Sequence, residues 1–301
     1  MIALAERVLS PKPIVYDGSK GVYLSDKVPH PGDPTDILNL ISPDIVRQVH
    51  KQYIQAGSEL IQTNTFCANA LRLSLSNLAD RTYEINMLGA KIAKSVAKDK
   101  VYVAGDIGPT GHLLTPYGDY TQAQFVQAFI PQVRGLIDGA VDVIHIETMS
   151  APEEVAAAIQ AVKEVNPKFP IMVTMTFDKP TPKGMRTMMG AGPADLITLS
   201  DQNGLLAYGA NCGIGLLNVD TLVAELRNNN PHAVLVTKFN AGQPTMIDSV
   251  PVYPENPDSM AQHALRMYDM GVKIIGACCG STPAHIEAMA NILSQRSQFS
   301  F

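Results

Sequence analysis

The 301-residue chain has no tryptophan, only four cysteines, and charged residues make up just 17% of it. Its 23 lysines and arginines are outnumbered by 28 aspartates and glutamates, which leaves a net charge of −5. Without a basic surface, the chain is expected not to bind nucleic acid. No apolar run approaches the roughly 18 residues that cross a bilayer, and Glu6 and Arg7 interrupt the N-terminus. We therefore expect a cytoplasmic protein with neither a signal peptide nor a membrane span.

Apolar segments are plentiful and regularly spaced. Eight short ones alternate with longer segments of helical period, and no long linker separates them. Continuous apolar runs are typical of parallel strands that are covered by helices on one face and packed on the other. Eight such strand-then-helix units predict a single (β/α)₈ TIM barrel domain over residues 1–301, with an open doubly wound sheet as the alternative. The predicted strands are residues 13–17, 60–66, 101–107, 143–148, 171–177, 207–212, 233–240 and 274–279.

Four helix starts are predicted from a serine, threonine or asparagine that can cap the first turn. Each is followed either directly by proline or, three residues later, by glutamate. In the fourth predicted helix, Val155, Ile159 and Val162 form one apolar stripe that can pack on a sheet. Residues 25–36 and 178–192 break the pattern and are expected to be loops over the barrel mouth, either closing on a ligand or merely covering the surface. The predicted caps are Ser42, Ser150, Asn256 and Thr282.

Polar residues gather at the carboxyl ends of the predicted strands, which is where (β/α)₈ barrels carry their active sites. Interior strand positions are mostly valine, isoleucine, alanine and methionine. The candidate site residues at these ends are Asp17, Thr63, Asn64, Thr65, Asp106, Glu147, Asp178, Cys212, Asn240, Cys278 and Cys279.

Three of the cysteines fit a metal site. Cys212 ends strand 6 while Cys278 and Cys279 end strand 8, so a barrel would bring them together at one rim. Three thiolates suit a zinc ion that keeps a fourth position open. Adjacent strand residues point to opposite faces, so the pair needs a bend, which the flanking glycines Gly276 and Gly280 permit. Each cysteine taken alone would be interpreted as a small apolar residue of the core. The three together predict a zinc site.

Such a zinc site suggests a particular chemistry. Three thiolates leave the centre at a formal charge of −1, which favours a soft fourth ligand such as a substrate thiol. Coordination lowers the pKa of that thiol, and the thiolate is the nucleophile. Cys67 has no matched partner and is expected to be a free thiol.

The motifs occur in an order that resembles the homocysteine S-methyltransferase family, and the likeness covers nearly the whole chain. Within that family the chain looks most like the homocysteine-binding module of cobalamin-dependent methionine synthase. The segments that carry the resemblance are DGSKG at residue 17, TNTF at 63, GDIGPTG at 105, IET at 146, MTFD at 175, GANCG at 209, FNAGQP at 239 and GACCGSTPAHI at 276.

The resemblance implies roles for the metal-site residues. Cys212, Cys278 and Cys279 correspond to the zinc ligands, and they would be the catalytic centre. Asn240, in FNAG, matches a position that can occupy the fourth zinc site when substrate is absent.

The resemblance also implies an amino acid pocket. Asp17 and Glu147 are expected to surround the ammonium group of homocysteine, and the backbone amides of Gly18 and Ser19 can bind its carboxylate. His145 shares a strand face with Glu147 and is expected to be a hydrogen-bonded core histidine.

The sequence contains fewer motifs that indicate the methyl donor than motifs that indicate the methyl acceptor. No corrinoid, folate or nucleotide motif is present, so the expected donor is a methylcorrinoid on a separate protein. The alternatives are S-methylmethionine, betaine or another small onium compound. Two other classes stay open: a non-catalytic zinc-containing subunit that docks a corrinoid protein, and a thiol redox sensor in which Cys278 and Cys279 are oxidised without metal.

Overall fold

A computed structural model of the chain describes residues 1–30, 32–182, 184–213, 216–247 and 250–298. Eight parallel strands form one sheet whose neighbours follow chain order, with the first also beside the last. Hydrogen bonds from Asp17 N to Leu60 O (3.0 Å) and from Glu59 N to Val15 O (2.8 Å) close the seam between the first and second strands. The predicted (β/α)₈ barrel is thus confirmed and the open sheet is excluded. The strands are β1 Ile14–Val15, β2 Leu60–Gln62, β3 Tyr102–Ile107, β4 Val143–Met149, β5 Ile171–Met175, β6 Ala207–Asn211, β7 Leu235–Phe239 and β8 Ile274–Ala277.

Every predicted strand is present, but most are shorter than predicted. The clearest case is β2, which ends at Gln62 although the apolar and threonine-rich pattern continues to residue 66. Thr63 Oγ1 and Thr65 Oγ1 lie 2.6 Å apart, and Thr65 Oγ1 donates to Asp106 O (2.7 Å). Side chains thus take over the hydrogen bonding of the strand end, so the regular ladder stops early.

Within the described residues, each of the eight strands is followed by one longer helix that packs outside the sheet. The apolar stripe of Val155, Ile159 and Val162 is buried in the fourth, as predicted. The helices are α1 Pro43–Gln55, α2 Thr82–Ala97, α3 Gln122–Asp138, α4 Pro152–Val165, α5 Pro193–Asn203, α6 Leu216–Asn229, α7 Pro257–Asp269 and α8 Pro283–Gln298. Shorter helical segments are Leu4–Arg7, Gly21–Leu24, Thr35–Ile37, Leu38–Ile41, Ala70–Ser74 and Ala79–Arg81.

The predicted helix caps have mixed outcomes. Asn256 caps α7, since its side chain accepts from Ser259 N (2.9 Å). Ser42 precedes α1 without a capping hydrogen bond from its side chain. The prediction for Ser150 is wrong, because α4 begins one residue later than a cap there requires and has Ala151 in the cap position. Proline at the first helical position fixes the backbone at these starts without a side-chain cap.

The two predicted loops lie after β1 and β5, at the carboxyl end of the barrel. Most of residues 178–192 is not irregular. Phe177–Thr181 pairs with Gly184–Thr187 as an antiparallel hairpin, and a second hairpin joins Thr245–Ile247 to Val250–Val252 after β7. Within the two predicted loops, Pro31 and Lys183 lie outside the described residues.

The barrel interior is apolar at its amino-terminal end. The first helical segment places Leu4 and Val8 against this end, where they join a buried cluster. A larger apolar layer fills the space between sheet and helices. Among the described residues, no helix combines the length and hydropathy needed to cross a bilayer. That residues 1–301 form a single domain stays a prediction. The other members of the interior cluster are Ile14, Tyr16, Leu60, Tyr102, Ala104, Val143, Met172, Ala207, Val236 and Ile274.

Candidate active site

The three predicted metal-binding cysteines meet at the barrel mouth. The Sγ atoms of Cys212, Cys278 and Cys279 all lie within 4.8 Å of one another, and Cys212 Sγ is 3.6 Å from Cys279 Sγ. Tetrahedral zinc with Zn–S bonds of about 2.3 Å places its sulfur ligands about 3.8 Å apart. The spacing and the soft donor set of this cysteine cluster therefore fit a zinc ion.

Local backbone turns bring these sulfurs together. Cys212 has φ +57°, a left-handed conformation that is uncommon for any residue except glycine, and Gly280 has φ +78°. Hydrogen bonds from Cys212 N to Lys238 O (3.0 Å) and from Cys278 N to Phe239 O (2.8 Å) anchor both turns to β7. Gly280 supplies the predicted bend after the cysteine pair, whereas the turn at Cys212 has no signal in the sequence.

Gly276 has a different role from the one predicted. It pairs regularly with Lys238 inside the β8 ladder. A Cβ at this position would lie 2.7 Å from Tyr16 Cβ, closer than real side chains approach. Gly276 therefore makes room for Tyr16 in the barrel interior instead of bending the strand.

The thiols of the cysteine cluster hold their protons tightly. Hydrogen bonding with Cys212 and burial raise the pKa of Cys278 well above its usual range. For Cys212, a hydrogen bond with Cys278 lowers the pKa, but one with Cys279 and burial outweigh it and raise the pKa to about 11. A cation that shares the cluster would reverse this preference, because it stabilises all three thiolates at once.

Asn240 lies beside the cysteine cluster. Its Oδ1 accepts a hydrogen bond from Cys279 N at 3.0 Å, and the side chain is buried. The amide oxygen is thus held next to one sulfur ligand. Its role as a fourth metal ligand in the absence of substrate stays a prediction.

Glu147 points into the barrel, where it meets a lysine that sequence reasoning missed. Lys238 Nζ lies 3.1 Å from Glu147 Oε2 and 4.4 Å from the centre of the Tyr16 ring, and it also donates to Gln62 Oε1. Burial alone would raise the pKa of Glu147, but Lys238 holds it down at about 2. The missed signal is the two-residue alternation of a strand, which places Lys238 on the same face as Asn240.

Gln62, which the sequence analysis also passed over, joins the other buried carboxyl groups. Its Nε2 donates to Asp106 Oδ2 (2.8 Å) and to Glu147 Oε1 (3.1 Å). Burial, together with the charge of Glu147, raises the pKa of Asp106 well above its usual range. Burial and the charge of Glu147 thus favour the neutral form of Asp106, whereas Lys238 favours the charged form of Glu147.

Asp17 is completely buried and lies just after β1, at the barrel mouth. Its Oδ2 accepts from Gln62 N (3.0 Å) and Lys20 Nζ (3.3 Å), while burial raises its pKa against the opposing charge of Lys20. Asp17 Oδ1 has no hydrogen-bond partner in the described part of the chain.

The two amides predicted to bind a carboxylate are tightly placed. Ser19 N donates to Ser281 Oγ (3.0 Å), and Tyr53 OH donates to Ser19 O (2.5 Å). A Cβ on Gly18 would lie 2.5 Å from Ser281 Oγ, so any larger residue there would force Ser281 to move. A ligand carboxylate at Ser19 would have to share that amide with Ser281.

Two further side chains behave as expected. His145 is fully buried, with Nδ1 3.0 Å from Tyr16 OH and Nε2 3.1 Å from Thr174 Oγ1, as a hydrogen-bonded core histidine should be. Cys67 is a free thiol whose Sγ lies 3.9 Å from Arg72 Nη2.

Comparison with known proteins supports the assignment suggested by these motifs. The sequence model of the homocysteine S-methyltransferase family matches residues 14–293. This chain belongs to that family.

Two methionine synthases to which the chain is similar are much longer than it is. The chain is 30% identical to methionine synthase of Mycobacterium tuberculosis over 318 residues and to that of Mycobacterium leprae over 308. These alignments cover 98% and 95% of the chain but only 26% and 24% of the relatives. The chain therefore spans about a quarter of the length of these methionine synthases.

Solved structures agree on the fold. The metallated form of homocysteine methyltransferase MmuM from Escherichia coli superposes with a TM-score of 0.79 at 21% identity, covering 96% of this chain and 99% of that one. A methyltransferase from Methanosarcina mazei superposes with a TM-score of 0.62 at 13% identity, covering 99% and 100% of the two chains. The barrel fold is thus shared with these structures despite low sequence identity.

Proposed function

We propose that the chain is a zinc-dependent homocysteine S-methyltransferase, which makes methionine with a methyl group from a methylcorrinoid on a separate protein. One observation carries the proposal: the sulfurs of the three cysteines that follow β6 and β8 lie within 4.8 Å of one another at the barrel mouth. The family match over residues 14–293 supports homocysteine as the thiol.

Zinc held by Cys212, Cys278 and Cys279 would lower the pKa of a substrate thiol and keep it as a thiolate near neutral pH. The homocysteine sulfur then forms a bond to the methyl carbon, while the bond between that carbon and the donor breaks and its electron pair stays with the donor. The proton of the thiol leaves to water. A donor that departs as a reduced corrinoid suits this balance.

The carboxyl groups of the mouth would orient the amino acid end of homocysteine. Asp17 presents a buried oxygen without a partner among the described residues, and Glu147 is ionised. Both would attract the ammonium group, with Lys238 keeping Glu147 charged and in place. Gly18 and Ser19 would offer amides to the carboxylate. The metal site would thus hold the thiol of homocysteine, while the carboxylates and backbone amides would hold its amino acid end. Fixing both ends positions the sulfur for methyl transfer, which accelerates the reaction.

The donor must reach the mouth from outside. A cavity of about 580 Å³ opens between the segments that follow β3, β4 and β5, and exposed apolar side chains such as Leu113, Tyr117 and Met188 stand in or beside it. An exposed apolar patch is typical of a place where a partner or ligand binds. This surface supports a donor carried by another protein.

The metal half of the proposal is tested by zinc analysis together with X-ray absorption. We expect one zinc per chain with three sulfur ligands, rising to four when homocysteine is added. Zinc that already has four protein ligands and does not change with homocysteine would favour the non-catalytic subunit. Metal-free protein with reversible oxidation of Cys278 and Cys279 would favour the redox sensor.

The donor half needs a separate experiment on the same zinc-loaded protein. Homocysteine is incubated with a methylated corrinoid protein, with S-methylmethionine or with betaine, and methionine is measured. We expect product only with the corrinoid donor. Turnover with S-methylmethionine or betaine alone would move the assignment to a small onium donor and leave the zinc chemistry intact.

A further inference from the structure

Asn211 stands directly before Cys212, and none of the roles above uses it. Its buried side chain has all four of its hydrogen-bonding positions filled. Oδ1 accepts from Thr148 N (2.9 Å) and from Thr174 Oγ1 (2.6 Å). Nδ2 donates to Thr148 Oγ1 (2.7 Å) and to Cys278 Sγ (3.9 Å). A backbone N–H can only donate, so Thr148 N fixes which end of the amide is oxygen and turns the NH₂ group toward the sulfur.

These bonds decide where the neighbouring protons lie. Asn211 Oδ1 can only accept, so the single hydroxyl proton of Thr174 points at it. Thr174 Oγ1 must then accept from His145 Nε2, which therefore carries the ring proton. His145 Nδ1 is left as an acceptor, and Tyr16 OH donates to it at 3.0 Å. Burial keeps the ring neutral, since it lowers the pKa of His145 to about 3.

The four bonds form a one-way chain across the barrel interior. Every donor faces the same direction, from Tyr16 through His145, Thr174 and Asn211 to Cys278 Sγ. Hydrogen bonds aligned in this way polarise one another, which strengthens the last donor of the chain. We call this set the Tyr16–Cys278 chain.

Thr148 shows that the arrangement is held under strain. It has φ +62°, a conformation that β-branched residues rarely adopt and that clusters at functional sites. Its backbone N–H and its hydroxyl both bind the Asn211 amide. Because Thr148 follows Glu147 in the chain, Asn211 ties the strand end that carries this carboxylate to the cysteine cluster.

We infer that Asn211 is a positioning residue for the metal site, which directs the last N–H of the Tyr16–Cys278 chain at Cys278 Sγ and draws negative charge from that thiolate. The inference rests on the proposed function, since it takes Cys278 as a metal ligand. Three thiolates and a substrate thiolate carry four negative charges around a divalent ion. A donor at one sulfur offsets part of this charge and leaves the metal a stronger Lewis acid for the substrate thiol.

Cobalt(II) bound in place of zinc gives a sulfur-to-cobalt charge-transfer band. Its wavelength should not change if Asn211 has a purely structural role. Loss of the N–H raises the energy of the sulfur electrons, so the sulfur-to-cobalt charge-transfer band should move to longer wavelength. Asn211→Asp keeps the accepting oxygen and the shape but has no N–H, and we expect the largest shift there. Zinc affinity, measured by chelator competition, should fall by roughly 10- to 100-fold, as for other residues that orient metal ligands.

Thr174→Val is the second variant, and it keeps Asn211 itself. It removes the hydroxyl that polarises the amide, so we expect a smaller band shift in the same direction. Thr237→Val is the matched control. This threonine is buried on β7, the strand next to the one that carries Asn211, and its hydroxyl has no hydrogen-bond partner among the residues that the structure describes. The control should keep the wild-type band and affinity.

The outcomes separate the inference from the proposed function. Wild-type protein that takes up no cobalt with sulfur ligation would overturn both. Normal cobalt uptake with Asn211→Asp and Thr174→Val both matching Thr237→Val would overturn the inference alone. Nitrogen-15 NMR of His145 is an independent check: a proton on Nε2 is expected, and a proton on Nδ1 would break the one-way chain.

Discussion

The two ends of the barrel interior are built from the same strands but from opposite chemistry. At the amino-terminal end, Val143, Val236 and Ile274 fill the interior with apolar side chains. At the carboxyl end, two to four residues further along the chain from each of these, are Glu147, Lys238 and Cys278. Glu147 and Lys238 are buried like the apolar residues, so exposure does not explain their difference from the apolar end.

What differs is how each end is stabilised. The apolar end gains free energy simply by leaving water. The polar end loses free energy on desolvation and recovers it only through specific partners, such as Lys238 for Glu147. Substitutions at the apolar end should therefore change stability alone, whereas those at the polar end should affect metal, substrate or pH dependence as well.

The largest effect is expected from Cys212→Ala, Cys278→Ala or Cys279→Ala. Each removes one of the three sulfur donors, so stoichiometric zinc binding and methyl transfer should both be lost. The barrel should stay folded, because these side chains lie at the rim. Zinc analysis, activity and circular dichroism check this. A Cys279→Ala variant with full zinc and ordinary turnover would contradict the ligand assignment, and Cys67→Ala is the matched control that should behave as wild type.

Lys238→Met should cost the most stability at the polar end. It leaves Glu147 buried beside Gln62 without its cation, and such broken pairs cost about 3–5 kcal/mol. Urea unfolding measures the loss. The double variant Lys238→Met with Glu147→Gln removes the orphaned charge and should regain most of it. Equal stability of the single variant and the wild type would show that the pair does not stabilise the barrel.

Ile274→Ala tests the apolar end. Truncating this fully buried side chain should lower the free energy of unfolding by about 2–5 kcal/mol, and Ile274→Val by about 0.5–1.5 kcal/mol. Zinc stoichiometry should not change in either variant. A loss of metal in Ile274→Ala at a temperature where it is folded would mean that the two ends are coupled.

The smallest effect is one of pH and involves His145. Burial lowers the pKa of His145 to about 3, below the ordinary value of 6.5. Between these two pH values the ring is protonated in the unfolded chain but neutral in the folded protein. Stability is therefore lost as pH falls from 6.5 toward 3, by about 1.4 kcal/mol per pH unit for one proton. His145→Gln should flatten this slope in urea unfolding between pH 7.5 and 5.5. Parallel curves for both proteins would refute the buried neutral ring.

Much of the site could be read from the sequence. Cys212, Cys278 and Cys279 stand at matching strand ends, and strand ends meet at one rim once the barrel is recognised. Lys238 could have been found in the same way, since it alternates with Asn240, but a lysine in an apolar strand gives no sign of its partner. The hairpin at residues 177–187 was missed because its proline and glycine content reads as a loop.

The sequence by itself determined the number and order of the strand–helix units, because hydrophobic period is a local property of the chain. It also determined which residues could bind a soft metal, because thiols are few. Only the tertiary structure decided that Glu147 faces Lys238, that Asn211 directs its amide at Cys278, and that Cys212 turns left-handed to join the cluster. Those contacts join residues far apart in the chain, so they exist only once the barrel has closed around them.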